Sequence, residues 1–313
     1  MQWSDRIGRR LKLRDLHVLH AVVQAGSMTK AAEHLAISVP VVSKAVADLE
    51  HTVGVALLDR SPQGVEPTMY GRALLHRSLA AFDELRQGVK DIEFLADPTA
   101  GEVRVGSTVP LAASFVSAVI DRLSRRHPRI VFHVVATRSE TLYRELSERN
   151  VDFLIARKFG SVPNEQLTFE TLYNDPYVVA AGSNNRWVRR RTIELAELVN
   201  EWWALPPPDS LVGSVVVEAF RASGLDFPRA TVVTFPHEVR NSLLATGRYL
   251  TVLPNSVLRF PIRHPFIKML PVELPITSGP IGILSLKNRT LSPAAHLFLD
   301  CARAVAKPPV KGK

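Results

Sequence analysis

Cysteine occurs once in this chain of 313 residues, at Cys301. A lone cysteine excludes an intramolecular disulfide and fits a reducing compartment. It stands in an apparent helix with Phe298, Leu299 and Val305, without a recognisable nucleophile motif around it, and reads as a buried structural thiol. Long apolar runs are also missing. None approaches the ~20 residues that span a bilayer, and the start carries Asp5 and several arginines before any apolar run, unlike a signal peptide. These absences argue for a cytoplasmic protein and against an exported solute-binding receptor. Catalytic signatures are lacking too: the chain has no Gly-x-Ser-x-Gly elbow, no phosphate loop and no Gly-x-Gly-x-x-Gly after a strand. His17 and His20 lie three apart on one helix, but no Cys or carboxylate ligand stands alongside, so they read as helix-face residues. No enzyme, metal or cofactor is expected.

The charge is less telling than its size. The net charge is +9, yet residues 1–97 hold 12 Lys and Arg against 12 Asp and Glu, and residues 98–313 hold 27 against 18. The excess therefore sits in the later part of the chain. Only the leading segment with Arg6, Arg9, Arg10, Lys12 and Arg14 is locally basic and suited to phosphates. The clusters Arg122–Arg129 and Arg186–Arg191 read as solvated surface. With 46% hydrophobic residues, the chain has enough apolar material for two or more domains.

What is present begins near the N-terminus. Leu13, Leu16, Leu19, His20 and Val23 recur at helical spacing, and Gly26 is a C-terminal stop. Ser27 or Thr29 then caps a second helix that buries Ala31, Ala32 and Leu35. Ser38 caps a third, with Pro40 in its first turn, where a missing N–H is harmless. Val42, Val46 and Leu49 face inward, leaving Val39, Pro40, Ser43, Lys44 and Ala47 on the outer side. This is a helix-turn-helix, whose second helix ordinarily enters the DNA major groove; the alternative is a three-helix packing motif that binds no nucleic acid. Residues 54–68 read as a hairpin or wing punctuated by Gly and Pro. From Gly71 to Ala96 the apolar residues Leu75, Leu79, Phe82, Leu85, Val89, Ile92 and Ala96 form a seam like that of a coiled coil, implying pairing with a second subunit. Gly88 weakens this helix, and Asp97-Pro98 ends it.

The order of these elements resembles the LysR-type transcriptional regulators. The matching residues are Ala31, Ala32, Leu35, Ser43, Leu49, Glu50, Gly54, Leu57, Leu58, Arg60, Gly64, Val65, Thr68 and Gly71. The segments Pro67–Gly71 and Asp97–Gly101 resemble a branch of sugar-linked regulators. Two positions depart from the family pattern: Val39 stands where Gln is usual and Lys44 where Arg is usual. Valine offers only apolar contact, for example to a thymine methyl, and lysine a point charge rather than a bidentate fork. The candidate DNA-binding residues are Val39, Pro40, Ser43, Lys44 and Thr29, with Arg60, Gly64 and Thr68 at the wing.

Beyond Gly101 short strands alternate with helices, the pattern of a parallel sheet with crossover connections. The expected strands are 102–106, 130–135 and 151–156, with helices over 111–127 and 140–149. A crossing near 172–181 leads into a second lobe, and the chain returns near 267–274. The fold class is thus multidomain α/β. A winged helix-turn-helix occupies 1–70, a linker helix 71–98, and a two-lobed effector domain 99–306, followed by a frayed tail, 307–313. Lobe I takes about 99–174 and 275–306, and lobe II about 175–274. The resemblance implies an effector domain built like a periplasmic solute-binding protein, and its ligand is expected between the lobes at strand C-termini and helix N-termini. Ser107 and Thr108 could hold a carboxylate or sugar hydroxyls, Arg157 could pair an anion, and Pro207 and His237 lie on loops at cleft-facing positions. For each there is a plainer role: a cap, a surface ion pair, a solvated loop. The reading is a cytoplasmic regulator that binds double-stranded DNA under control of a small sugar or carboxylate. The resemblance implies a homodimer or homotetramer; RNA polymerase is a further candidate partner that no feature of the sequence supports.

Overall fold

The computed structural model describes residues 10–61, 64–158, 166–260, 266–275 and 279–307. Arg6 and Arg9 of the basic leader, the tip of the expected wing and the expected frayed tail after Lys307 lie outside these residues. The chain divides into two compact units, Met1–Arg86 and Gln87–Lys313.

In the first unit, α1 (Leu13–Ala25), α2 (Met28–His34) and α3 (Val39–Val53) pack around Leu19, Val22, Ala31, Val42, Val46 and Leu49, each wholly buried. The small Ala31 and Ala32 let α2 approach its neighbours closely. The inward face of α1 differs from the expected one. Leu13 is 47% exposed, and Val18, Ala21 and Val22 join Leu16 and Leu19 in the core. Gly26 ends α1 at φ 63°, a left-handed conformation that side chains resist. Ser27 caps α2 through the Lys30 N–H, so Thr29 sits inside the helix. Ser38 takes the cap position of α3 without a side-chain bond, with Pro40 in the first turn as expected. The antiparallel strands β1 (Leu58–Ser61) and β2 (Gly64–Pro67) form the wing. The Val65 N–H donates to the Gly26 carbonyl (3.0 Å) and ties the wing to the α1–α2 turn.

The helix α4 (Met69–Ala96) begins in the first unit and ends in the second, running unbroken through Gly88. In the second unit Lys90, 10% exposed, lies 3.9 Å from Glu102 and 3.8 Å from Asp152. The Asp152 carboxylate also accepts from the Arg104 N–H (2.8 Å). These bonds anchor the last turns of α4 to the strands that follow.

The second unit holds two five-stranded sheets. The chain runs β3 (Ala100–Ser107), α5 (Val109–Leu111), a π turn (Ala112–Val116), α6 (Ser117–Ser124), β4 (Arg129–Ala136), α7 (Ser139–Ser147), β5 (Phe153–Arg157) and β6 (Leu167–Tyr173). It then crosses into β7 (Tyr177–Gly182), β8 (Trp202–Leu205), α8 (Leu211–Ala222), β9 (Ala230–Val233), α9 (His237–Ala245), β10 (Tyr249–Pro254), α10 (Ser256–Arg259) and β11 (Ile267–Met269). It returns as β12 (Ile281–Leu286) and α11 (Pro293–Ala306). The first sheet has the order β4-β3-β5-β12-β6 and the second β11-β7-β10-β8-β9. In each, three neighbouring strands are parallel and the remainder antiparallel. These are the two expected lobes. The first core gathers Phe115, Phe153 and Phe298, and the second Trp203, Phe220 and Leu250. The single helix expected over 111–127 instead contains a π turn. There the Ser114 and Ser117 hydroxyls donate to the Pro110 and Ala112 carbonyls (2.6 and 2.8 Å), competing with regular helical pairing. Cys301 is half-buried, its thiol 3.7 Å from the Val119 carbonyl, and burial raises its pKa. Among the described residues no helix is long and apolar enough to cross a membrane.

Candidate DNA-reading face and interlobe cleft

The outer face of α3 carries the expected residues. Val39, Pro40 and Lys44 are exposed and Ser43 is half-buried at the edge of the core. Val41, which periodicity left off this face, is as exposed as Val39, at 38% each. The tip of α3 is therefore an apolar Val-Pro-Val segment followed by one hydroxyl and one cation. Thr29 is exposed on α2.

The wing is braced by residues whose roles are local. The Glu50 carboxylate at the end of α3 accepts from the Leu57 and Leu58 N–H groups (2.8 and 3.2 Å) and lies 3.9 Å from the Arg60 guanidinium, which is half-exposed. Gly64 has φ 136°, and a Cβ there would meet the Gly26 carbonyl at 2.9 Å. Thr68 spends its hydroxyl within the chain: it donates to the Ala56 carbonyl (2.8 Å) and accepts from the Gly71 N–H (3.0 Å). It thereby caps α4 and shapes the wing.

In the second unit the expected cleft residues come from the C-terminal ends of parallel strands. Ser107 ends β3, is fully buried, and donates its hydroxyl to the Ile155 carbonyl (2.8 Å). Thr108 follows at the cap position of α5 with no side-chain capping bond. The Ser107 carbonyl accepts from the Thr137 N–H (3.2 Å). The neighbouring Arg138 guanidinium reaches across the cleft to lie 4.5 Å over the Phe235 ring. Pro207 follows β8 and its carbonyl accepts from the Ser210 N–H and hydroxyl (3.0 and 2.6 Å). The Thr234 N–H donates to the Leu205 carbonyl (2.9 Å), bringing the loop after β9 beside the loop after β8. Through these bonds the strand end that carries Ser107 and Thr108 is linked to Arg138, and the loops that carry Pro207 and His237 lie on either side of Phe235, so that the Arg138–Phe235 contact joins the two lobes here.

Arg157 is placed differently from expectation. It is 7% exposed, and its guanidinium pairs with Asp175 (Nη2 to Oδ2, 2.6 Å) while donating to the Asp175 and Gly279 carbonyls (2.5 and 2.8 Å). Asp175 also accepts from the Ser256 N–H and hydroxyl (2.7 and 2.9 Å). This is a buried ion pair between the two lobe crossings rather than an arginine open to a ligand. Its partner lies 18 residues away across a strand, where spacing carries no signal.

His237 opens α9, with both ring nitrogens near the Arg240 guanidinium (3.1 and 3.0 Å). Burial, and then the Arg240 charge, lowers the His237 pKa to about 3, so its ring is neutral at physiological pH. Sequence reading missed Arg138, Phe235 and Arg240. None lies in a motif, although Arg240 does fall at i+3 from His237 on one helix face.

Comparisons with known proteins agree with this architecture. A family model described as bacterial regulatory helix-turn-helix protein, lysR family, matches residues 13–72, and one described as LysR substrate binding domain matches residues 96–307. The HTH-type transcriptional regulator GbpR of Azospirillum brasilense is 28% identical over 298 residues, covering 95% of this chain and 87% of its own. PcaQ of Agrobacterium fabrum is 24% identical over 303 residues, covering 96% of each. In fold, a full-length OxyR variant from Pseudomonas aeruginosa matches with a TM-score of 0.69 at 20% identity, over 97% of this chain and 99% of that one. Full-length CbnR complexed with its target DNA matches with a TM-score of 0.55 at 22% identity, over 95% and 100%. With a helix-turn-helix and wing in one unit, a two-lobed α/β domain in the other, and family models matching both, the chain belongs to the LysR family of DNA-binding transcriptional regulators with an effector-binding domain.

Proposed function

We propose that the outer face of α3 reads operator DNA and that a small molecule held between the lobes controls the outcome. Val39 and Pro40 supply apolar contact to base edges, and Ser43 and Lys44 supply the polar and charged contacts. Thr29 and Arg60 lie beside the phosphate backbone, and Gly64 and Thr68 keep the wing in shape. The exposure of Val39, Pro40 and Lys44 on one face of a helix whose other face is fully packed supports this reading. The functional division runs as a reader (1–70), a coupling helix (71–98) and a receiver (99–306), in keeping with the ranges matched by the two family models.

Leu85, Val89 and Ile92 are 53%, 55% and 68% exposed along α4. This strip at heptad-like spacing supports pairing of α4 with its copy in a homodimer, on which a tetramer can build. Two recognition helices then meet a quasi-symmetric site in the cytoplasm, and effector binding alters their geometry for RNA polymerase.

The effector is a small sugar or carboxylate. The Arg138–Phe235 contact, which joins the strand ends carrying Ser107 and Thr108 to the loops carrying Pro207 and His237, supports this half of the proposal. Ser107→Ala with Thr108→Ala is expected to abolish the effector response in a reporter strain and leave operator affinity within twofold. Loss of the Ser107 hydroxyl costs about 1 kcal/mol of stability, too little to unfold the domain. Unchanged induction would remove both residues from the site.

A further inference from the structure

Arg240 is a buried cation without a counter-ion. It is 2% exposed, one turn into α9, and among the described residues no carboxylate lies within 4.0 Å of its guanidinium. Its bonds are to neutral groups: the Val252 carbonyl (3.3 Å) and the His237 ring. Its Nε–H has no partner. Burial lowers its pKa to about 10, opposed by Tyr177 and Glu238, so it remains charged at neutral pH. An uncompensated buried charge is costly, and proteins retain one chiefly where function uses it. Another buried arginine of the same unit shows the contrast. Arg157, stacked 4.6 Å over the Tyr177 ring, has its charge matched by Asp175.

Positive character also converges here from other directions. α9 is nine residues long and its Pro236 cap makes no side-chain bond to the helix; Glu238 in its first turn offsets part of the helix dipole but, like every described carboxylate, lies beyond 4.0 Å of the Arg240 guanidinium. Arg138 of the first lobe lies over Phe235, two residues before α9, and brings a second guanidinium to the segment that enters this helix. His237, whose ring is neutral, contributes no compensation and occupies the edge of the Arg240 fork.

Resting on the reading that the effector sits between the lobes, we propose that it carries a carboxylate. Arg240 receives this group, His237 is displaced from the guanidinium edge as it enters, and Arg138 closes over it from the first lobe. Sugar hydroxyls alone would leave the Arg240 charge unmatched, whereas a planar carboxylate takes two N–H groups of one guanidinium edge.

The test is thermal unfolding of the full chain in sodium formate against sodium chloride at equal ionic strength, formate being the smallest carboxylate probe. The wild type is expected to melt roughly 3 °C higher at about 100 mM formate. Arg240→Met is expected to melt no lower than wild type in chloride, since it removes an unmatched charge, and to lose the formate increment. Arg240→Lys, which keeps the charge but not the fork, is expected to lose at least half of it and carries the test if the methionine variant does not fold. No increment in the wild type, or one that survives Arg240→Met, overturns the assignment and leaves the cleft reading to its own reporter test. An increment lost in Arg240→Met supports the assignment even where unchanged induction in Ser107→Ala/Thr108→Ala removes those two residues from the site.

Discussion

Gly71→Ala is expected to destabilise the DNA-reading unit by about 3 kcal/mol or more and to abolish operator binding at ordinary protein concentrations. A Cβ at Gly71 would stand 2.1 Å from the Leu57 carbonyl oxygen and 3.3 Å from Pro67 Cβ. The obstacle is backbone, so no rotamer change relieves it. Moving the Leu57 peptide would break its bond from the Thr68 N–H (3.0 Å) and disturb the Glu50 contact to the Leu57 N–H (2.8 Å). These are the bonds that seat the wing against α3 and fix the start of α4. The matched control is Gly88→Ala on the same helix, where a Cβ meets nothing within 4 Å. There helix propensity alone acts, and a gain of about 1 kcal/mol is expected. Urea midpoints of the two variants should move in opposite directions. A midpoint for Gly71→Ala equal to wild type would show that the wing is not seated as described.

Asp175→Ala is expected to cost about 3–5 kcal/mol, measured by chemical unfolding of the second unit. The carboxylate is 1% exposed and receives the Arg157 guanidinium and both Ser256 donors. Truncation leaves the buried Arg157 charge without its counter-ion, though still bonded to two carbonyls, and the buried Ser256 N–H without its acceptor. The Gly279 carbonyl binds the same guanidinium (2.8 Å), so the loss loosens both lobe crossings together. Adding Arg157→Met to Asp175→Ala should restore part of the loss by removing the stranded charge. Strict additivity of the two substitutions would mean that the pair is not coupled and that the crossings are held by other contacts.

The elements readable from sequence were those set by local rules. Gly26 and Gly54 stop helices because their φ values of 63° and 78° suit glycine, and both were legible as punctuation. The wing was readable because Gly and Pro flank two short apolar runs. The face of α1 was misassigned at Leu13, since a leucine at a helix start satisfies the period whether or not a neighbour covers it. Val18 and Val22 are buried because α2 and α3 sit there, a tertiary fact that spacing does not contain. The same limit explains Arg157. A strand-end arginine looks the same facing a ligand or an aspartate across a crossing, and only the fold brings Asp175 to it. Arg240 and Arg138 carried no signal because their meaning lies in what is absent around one and what lies across the cleft from the other. Glu50, quoted only as a matching residue, turned out to be the brace of the wing.

The central claim is that the α3 face selects specific DNA. The direct measurement is selection of sheared genomic DNA by the purified full chain, in parallel with Ser43→Ala/Lys44→Ala at the same salt concentration, because affinity without stated salt is uninterpretable. The account expects discrete enriched fragments with the wild type and their loss with the double variant, which should remain folded because both changes lie off the core of α3. Equal enrichment by both proteins, or none by the wild type across salt concentrations, would contradict it.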